Sequence, residues 1–271
     1  MCRLYGLRST HPTRVGCELI DAQNSLIQQS RKDERGLANP HGWGIGFTRD
    51  GELTCKRQAT PASESEDFRR TATEISAPAL VAHVRRATVG NPKLVNTHPF
   101  HDEHALLAHN GHIDHFDQVR QRMLEETTDE RRAAIQGETD SEHFFQFLQS
   151  MRSRHPNATR RHVLRDAIRR VRGWAHDIDP EAEVSLNVLW IEENDLAGAR
   201  YGRTLWYIAR HQPHICEICG KPHADPDPDE PYHVVEFASE RLTSEGWTEV
   251  PEGVTFDIGP DRDFDIAHID T

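Results

Sequence analysis

Apolar and polar positions follow two periods along the chain, and the switch between them divides it into strand-rich ends and a helical middle. Residues 2–8, CRLYGLR, alternate as a short strand. From Val15 to Gln29, Cys17, Ile20, Leu26 and Ile27 recur at helical spacing and predict a helix. RKDERGLANPHG is turn-rich. WGIGFTRDGELTCKR then reads as a hairpin turning at Asp50-Gly51, a dipeptide that accepts the positive φ of tight hairpin turns. Ser63 to Ile75 predicts a helix with acidic residues in its first turn, where they meet the positive end of the helix dipole. Ala79–Val84 and Ala105–Ala108 are short apolar runs between polar loops, the pattern of buried strands.

The middle of the chain predicts three helices. Asp114–Glu126 carries Phe116, Val119 and Met123 on one face. The next opens at Thr139-Asp140-Ser141-Glu142, where Thr139 and Glu142 fit a capping box, and turns Phe144, Phe147, Leu148 and Met151 inward. The third, Arg161–Gly173, does the same with Val163, Ala167, Ile168 and Val171. Strands return as VSLNVLWI, ARYGRTLWYIA, YHVVEFAS and GVTFDI. Segregated strands and helices, with no repeat or long linker, predict one α+β domain rather than alternating βαβ units. That domain spans residues 1–260, with a Cys/His-rich insertion at about 210–231; the acidic stretch 261–271 is expected to be a loosely held tail.

Charge and composition narrow the class. The formal charge of −12, from 44 Asp and Glu against 32 Lys and Arg, repels nucleic acid and anionic lipid, so neither is expected as a partner. Mean hydropathy is −0.73, and no apolar run approaches the ~20 residues that span a bilayer. MCRLYGL has no charged-then-apolar leader, so no secretory signal is expected. Five cysteines, an odd number, argue against a disulfide framework and favour a reducing cytoplasm.

Candidate chemistry concentrates between Ala82 and Gly111. Arg85-Arg86-Ala87-Thr88 follows an apolar run. One arginine turned inward there would clamp a carboxylate through paired hydrogen bonds; two turned outward would be a solvated rim. His98 precedes Pro99, which favours extended backbone, and fits a structural or a catalytic role equally. Asn110-Gly111 is a turn signal, or an oxyanion hole built from the Asn110 amide and the Gly111 N–H. Asp140 caps a helix or faces a substrate ammonium. Cys2 is an ordinary small residue on a first strand unless Met1 is removed. Its own α-amine (pKa ~8) would then lie beside its thiol (~8.5), joining base and nucleophile in one residue.

Together these pieces resemble the class II glutamine amidotransferases of the N-terminal-nucleophile hydrolase superfamily. The matching elements, in order, are Met1-Cys2, HGWGIGF (His41–Phe47), RRAT (Arg85–Thr88), NTHPF (Asn96–Phe100), AHNG (Ala108–Gly111) and GETDSE (Gly137–Glu142). The likeness is strongest over roughly the first 150 residues and continues weakly through ARYGRTLWYIA and FASERLTSEGWTEVP. It points to the standalone branch that includes the ergothioneine-pathway amidohydrolase. The resemblance implies a four-layer αββα sandwich with Cys2 at the end of a central strand. It implies an enzyme in which Cys2 attacks a γ-glutamyl amide, Asn110 and Gly111 hold the oxyanion, Arg85 and Thr88 bind the α-carboxylate, Asp140 binds the α-ammonium, and His98 supports the pocket. A thioester then releases glutamate and ammonia or an amine, with no cofactor required for catalysis. Many family members have tryptophan where this chain has Arg86, which leaves the inward-facing arginine open. No acceptor-substrate domain is visible, so the substrate is glutamine or another γ-glutamyl small molecule, acting alone or with a separate amide-accepting subunit. The alternative is a catalytically silent binding or regulatory protein on the same fold.

One motif lies outside this pattern. In the insertion, Cys216-x-x-Cys219 with His223 presents ligand types suited to a structural zinc, with histidines needed to complete the set. A surface insertion with unpaired thiols explains the same residues.

Overall fold

The computed structural model describes residues 2–227, 230–258 and 264–270. Met1, on whose removal the terminal-amine chemistry depends, lies outside the described residues. Strand β1 (Arg3–Arg14) is followed by a helical turn at Cys17–Asp21 and helix α1 (Leu26–Arg31). The hairpin β2 (Trp43–Arg49) and β3 (Glu52–Gln58) leads to α2 (Glu66–Glu74) and β4 (Ser76–Val84). Next come β5 (Phe100–His101), β6 (Ala105–Ile113), α3 (Phe116–Glu126), α4 (Asp129–Ala133), α5 (Asp140–Arg154) and α6 (Arg160–Ile178). The remainder is β7 (Val184–Glu192), β8 (Asp195–Arg200), β9 (Trp206–Arg210), β10 (Val234–Ala238), β11 (Thr248–Glu249), β12 (Val254–Ile258) and β13 (Phe264–His268). One sheet runs β11-β9-β10-β1-β4-β2-β3 and the other β13-β12-β8-β7-β6-β5. The named strand pairs are antiparallel.

Three cores separate four layers. Leu4 and Val81 of the first sheet meet Leu106, Leu189 and Phe256 of the second between the sheets. On the outer face of the first sheet, Tyr5, Leu7, Ile45 and Phe47 pack on Leu19, Leu26 and Phe68. On the outer face of the second, Val188 and Trp190 meet Phe144, Phe147, Leu164 and Ile168 of α5 and α6. This is the αββα sandwich that the sequence implied. It explains why β7 is buried at every position but Glu192 and apolar without a break from Val188 to Ile191. Leu189 and Ile191 point between the sheets while Val188 and Trp190 point to the helices, so neither face needs to be polar. Each such side chain contributes about 1.5–3 kcal/mol of burial. The Trp-Gly-Ile-Gly-Phe run obeys the same period: Trp43, Ile45 and Phe47 face the helices. Gly44 faces the other way, where a Cβ would meet the His98 carbonyl oxygen at 2.0 Å, so only glycine lets that segment approach.

Several elements differ from expectation. Val15–Gln29 is not one helix: the chain breaks at Ala22, and the Ser25 hydroxyl and Gln29 amide cap the backbone carbonyls of Ile20 and Asn24. ARYGRTLWYIA is two strands in different sheets, separated at Gly202, whose φ is +87°. The residues expected as a loose tail instead pair β13 with β12, and Ile269 is fully buried; residues 261–263 and 271 lie outside the described set. Thr139 caps α5 by accepting from Glu142 N at 3.2 Å, but the expected box is only half made. The Glu142 carboxylate accepts instead from Gln136 N and Gly137 N, at 2.8 and 2.6 Å. Among the described residues, no helix is long and apolar enough to cross a membrane.

Candidate active site

Cys2 sits one residue before β1, whose first pairs join Arg3 to Val84 and Leu4 to His83 of β4. This register brings the thiol to the loop leaving β4. Cys2 Sγ lies 3.4 Å from Arg86 N, which donates to it, and 3.5 Å from Arg86 O. Desolvation raises the thiol pKa, the Arg86 N–H and the Arg85 charge lower it, and Asp140 raises it. The first turn of the chain is anchored by Arg3, whose buried guanidinium pairs with Asp33, 2.8 Å away, and with Glu240. Asp33 in turn caps the turn-rich loop through Arg35 N and Leu37 N.

The paired arginines behave differently. Arg85 turns inward and is 2% exposed, while Arg86 is half-buried. The Arg85 guanidinium donates to the carbonyls of Val89, Gly90 and Asn91 at 2.8, 3.2 and 3.1 Å, curling that loop around itself. Its charge couples to both Cys2 and Asp140. Thr88 is exposed on the same loop. His41 braces the strand end by accepting from Ala87 N at 2.9 Å through Nδ1.

Asn110-Gly111 makes no turn. Strand β6 runs straight through it to Ile113, paired throughout with β7, because sheet pairing outweighs the local turn preference. A Cβ on Gly111 would lie 1.8 Å from the Ser185 carbonyl oxygen, so the residue type answers a close backbone approach. The Asn110 Nδ2 donates to Ser239 Oγ at 3.2 Å, and the same hydroxyl accepts from Leu4 N at 3.0 Å. Ser239 thereby ties the second sheet's asparagine to a backbone group two residues from Cys2. Asn110 Oδ1 is buried without a hydrogen-bond partner among the described residues. Asp140 is buried at the first turn of α5, with Oδ1 accepting from Ser141 N at 2.8 Å.

Three buried histidines, His83, His98 and His109, gather behind these groups. His98 lies against His83 at 4.1 Å between ring centroids and 6.4 Å from His109. His109 Nε2 faces the Ser185 carbonyl at 3.0 Å, so the neutral ring donates there and its Nδ1 accepts from Ser141 Oγ at 2.8 Å. Neither His98 ring nitrogen has a hydrogen-bond partner among the described residues. Desolvation lowers all three pKa values, His83 to about 3 and His98 well below its usual range.

A stability consequence follows from their neutrality. Below about pH 6.5 the unfolded chain takes up these protons more readily than the folded chain, so the contribution of the three rings is full above that pH and falls as the medium acidifies. Each histidine removes up to about 1.4 kcal/mol per pH unit. Glu236, pushed up to about 7 by burial, opposes this by gaining a proton in the folded state. Burial also lowers His41, His101 and His143 and raises Glu34 and Asp257, so the histidines still outnumber the opposing acids. The urea midpoint is expected to drop by a large fraction between about pH 7 and about pH 5. An unchanged midpoint would contradict the neutral assignment.

Cys216, Cys219 and His223 also converge, but not as expected. Cys17 joins them in place of a second histidine, and the four ligand atoms lie within 4.8 Å of one another. Cys17 was missed because its spacing with Ile20 looked like a helix core position. His41, Ser239, Arg3, Asp33 and Glu240 were missed as site residues too; His41 falls in the HGWGIGF segment and Ser239 and Glu240 in the FASER segment, whose family likeness was their signal.

The sequence model of the class II glutamine amidotransferases matches residues 1–256 of this chain. The chain is similar to a probable glutamine amidotransferase of Saccharomyces cerevisiae, DUG3, with 28% identity over 284 residues, 93% of this chain and 80% of the yeast protein. It is also similar to the γ-glutamyl-hercynylcysteine sulfoxide hydrolase of Mycobacterium tuberculosis, with 39% identity over 119 residues, 42% of this chain and 50% of that protein. The match therefore spans half the length of the mycobacterial relative. Among solved structures, a glutamine aminotransferase class-II domain protein from Silicibacter pomeroyi has a TM-score of 0.64 at 20% identity, covering 98% of this chain and 99% of that one. The glutamine phosphoribosylpyrophosphate amidotransferase of B. subtilis has a TM-score of 0.61 at 17% identity, covering 99% of this chain and 49% of that one.

Proposed function

Because the chain belongs to the class II glutamine amidotransferases, we propose that it hydrolyses a γ-glutamyl amide through a covalent Cys2 thioester. The reading is carried by one arrangement: a thiol on the Arg86 backbone, electrostatically coupled to a buried cation, Arg85, and a buried anion, Asp140. A glutamyl head group has the complementary pair, an α-carboxylate for Arg85 and an α-ammonium for Asp140. Thr88 adds a hydroxyl to the carboxylate side, and His98 bounds the pocket as a neutral ring.

After loss of Met1, the Cys2 amine takes the thiol proton and the sulfur attacks the γ-carbonyl carbon. Asn110 Nδ2 has a second hydrogen beyond the one on Ser239, and it joins the Gly111 N–H in stabilising the oxyanion. Collapse expels ammonia or an amine, which takes the proton from the Cys2 ammonium. Water then attacks the thioester carbon and releases glutamate, and the thiol is regenerated. No cofactor enters the sequence. The γ-glutamyl hydrolase named among the relatives supports a small γ-glutamyl amide as substrate. A separate amide-accepting subunit is compatible with the same half-reaction.

The experiment is glutamate release from glutamine and from a panel of γ-glutamyl amides. At least one is expected to yield glutamate in equal amount to the amine. Failure of the whole panel, with a correctly processed terminus, would favour a silent binding protein on this fold.

A further inference from the structure

The amidase chemistry leaves one cluster unused. Cys17, in the helical turn after β1, meets Cys216, Cys219 and His223 of the insertion, far away in sequence. Cys17 and Cys216 are buried, Cys219 is exposed, and all three thiols are free. Cys219 Sγ lies 3.6 Å from His223 Nε2. That is the edge of a tetrahedron whose metal bonds are about 2.3 Å to sulfur and about 2.1 Å to nitrogen. On the far side of the ring, His223 Nδ1 lies 3.2 Å from Glu18 Oε1. An outer carboxylate of this kind fixes the tautomer and aims Nε2 at the metal position.

The backbone is arranged for the same purpose. Cys216 N donates to Lys221 O at 3.1 Å and Gly220 N to Cys216 O at 2.8 Å, with Gly220 at φ +69°. This folds Cys216-Glu217-Ile218-Cys219-Gly220 into a tight knuckle with both sulfurs on one side. Arg14 N donates to His223 O at 2.9 Å, so the knuckle is moored to the end of β1 beside Cys17.

We propose that Cys17, Cys216, Cys219 and His223 bind one zinc ion through three thiolates and His223 Nε2, fastening the 211–224 insertion to the turn after β1. Four protein ligands leave no open position, which makes the site structural. Sulfur-rich tetrahedral geometry selects zinc over the harder divalent cations. Each thiol gives up its proton on binding.

Metal content of the desalted full-length protein tests this, together with the visible spectrum of cobalt-substituted protein. The expected result is one zinc per chain, and for cobalt the intense bands of tetrahedral thiolate coordination. Cys17→Ser is expected to lower the sulfur-to-cobalt charge-transfer band by about a third, one thiolate of three, or to abolish uptake. Cys55→Ser, outside the cluster, should leave the spectrum unchanged. Wild-type protein that takes up neither zinc nor cobalt overturns the proposal, as does a Cys17→Ser spectrum equal to wild type. None of these readouts depends on amidase activity.

Discussion

Cys2→Ala is expected to lower glutamate release by about 10⁴-fold or more, because losing a covalent nucleophile removes the reaction path rather than weakening one contact. Little structural cost should accompany it. Cys2 precedes β1, and among the described residues its side chain hydrogen-bonds to the Arg86 backbone. The chain end is held independently by Arg3 on Asp33 and Glu240. A thermal midpoint within a few degrees of wild type, with no turnover and no covalent labelling by a glutamine-analogue electrophile, is the expected combination. Labelling that survives the substitution would move the nucleophile elsewhere. Retained Met1 in active protein would remove the terminal amine from the mechanism.

The second large effect is expected from Asn110→Ala, a loss of about 10²–10³ in kcat with a smaller change in KM. The amide is proposed to act on charge that develops only in the transition state, so ground-state binding through Arg85 and Asp140 should persist. Ser239 complicates the comparison, since it loses one of its two donors while keeping Leu4 N. Ser239→Ala provides the control. It keeps the Asn110 amide but frees its orientation, and should cost less than Asn110→Ala. Equal losses in both variants would make Asn110 a positioning residue rather than an oxyanion donor.

What the sequence revealed divides along physical lines. Helices α3 and α6 were legible because each buries one face, so their apolar residues kept the helical period; α5, buried all round from Asp140 to Met151, was legible from its Thr139 cap and its Phe144, Phe147, Leu148 and Met151 spacing. The β2–β3 hairpin was legible from Asp50-Gly51, both at positive φ. Asn110-Gly111 carries the same kind of local signal and misleads, because β7 supplies pairing along the whole of β6. The site residues were readable as motifs, but what holds them was not. Arg3, Asp33 and Glu240 form one buried ion cluster from three distant segments, and no local pattern announces such partners. Cys17 was hidden for the same reason. The edge strand β13 was hidden by its acidic composition, although its pairing to β12, the packing of Phe264 and the buried Ile269 just after it order it.

The shared Ser239 hydroxyl has a wider meaning. The proposed nucleophile rides on one sheet and the proposed oxyanion donor on the other, so the gap between sulfur and amide is gauged by how the two slabs are shimmed at Leu4, Val81, Leu106 and Leu189. The loop after β4 can change in sequence without altering that gap. The filling between the slabs has no such licence, for a thicker or thinner spacer there would detune the chemistry while every reacting group stayed intact.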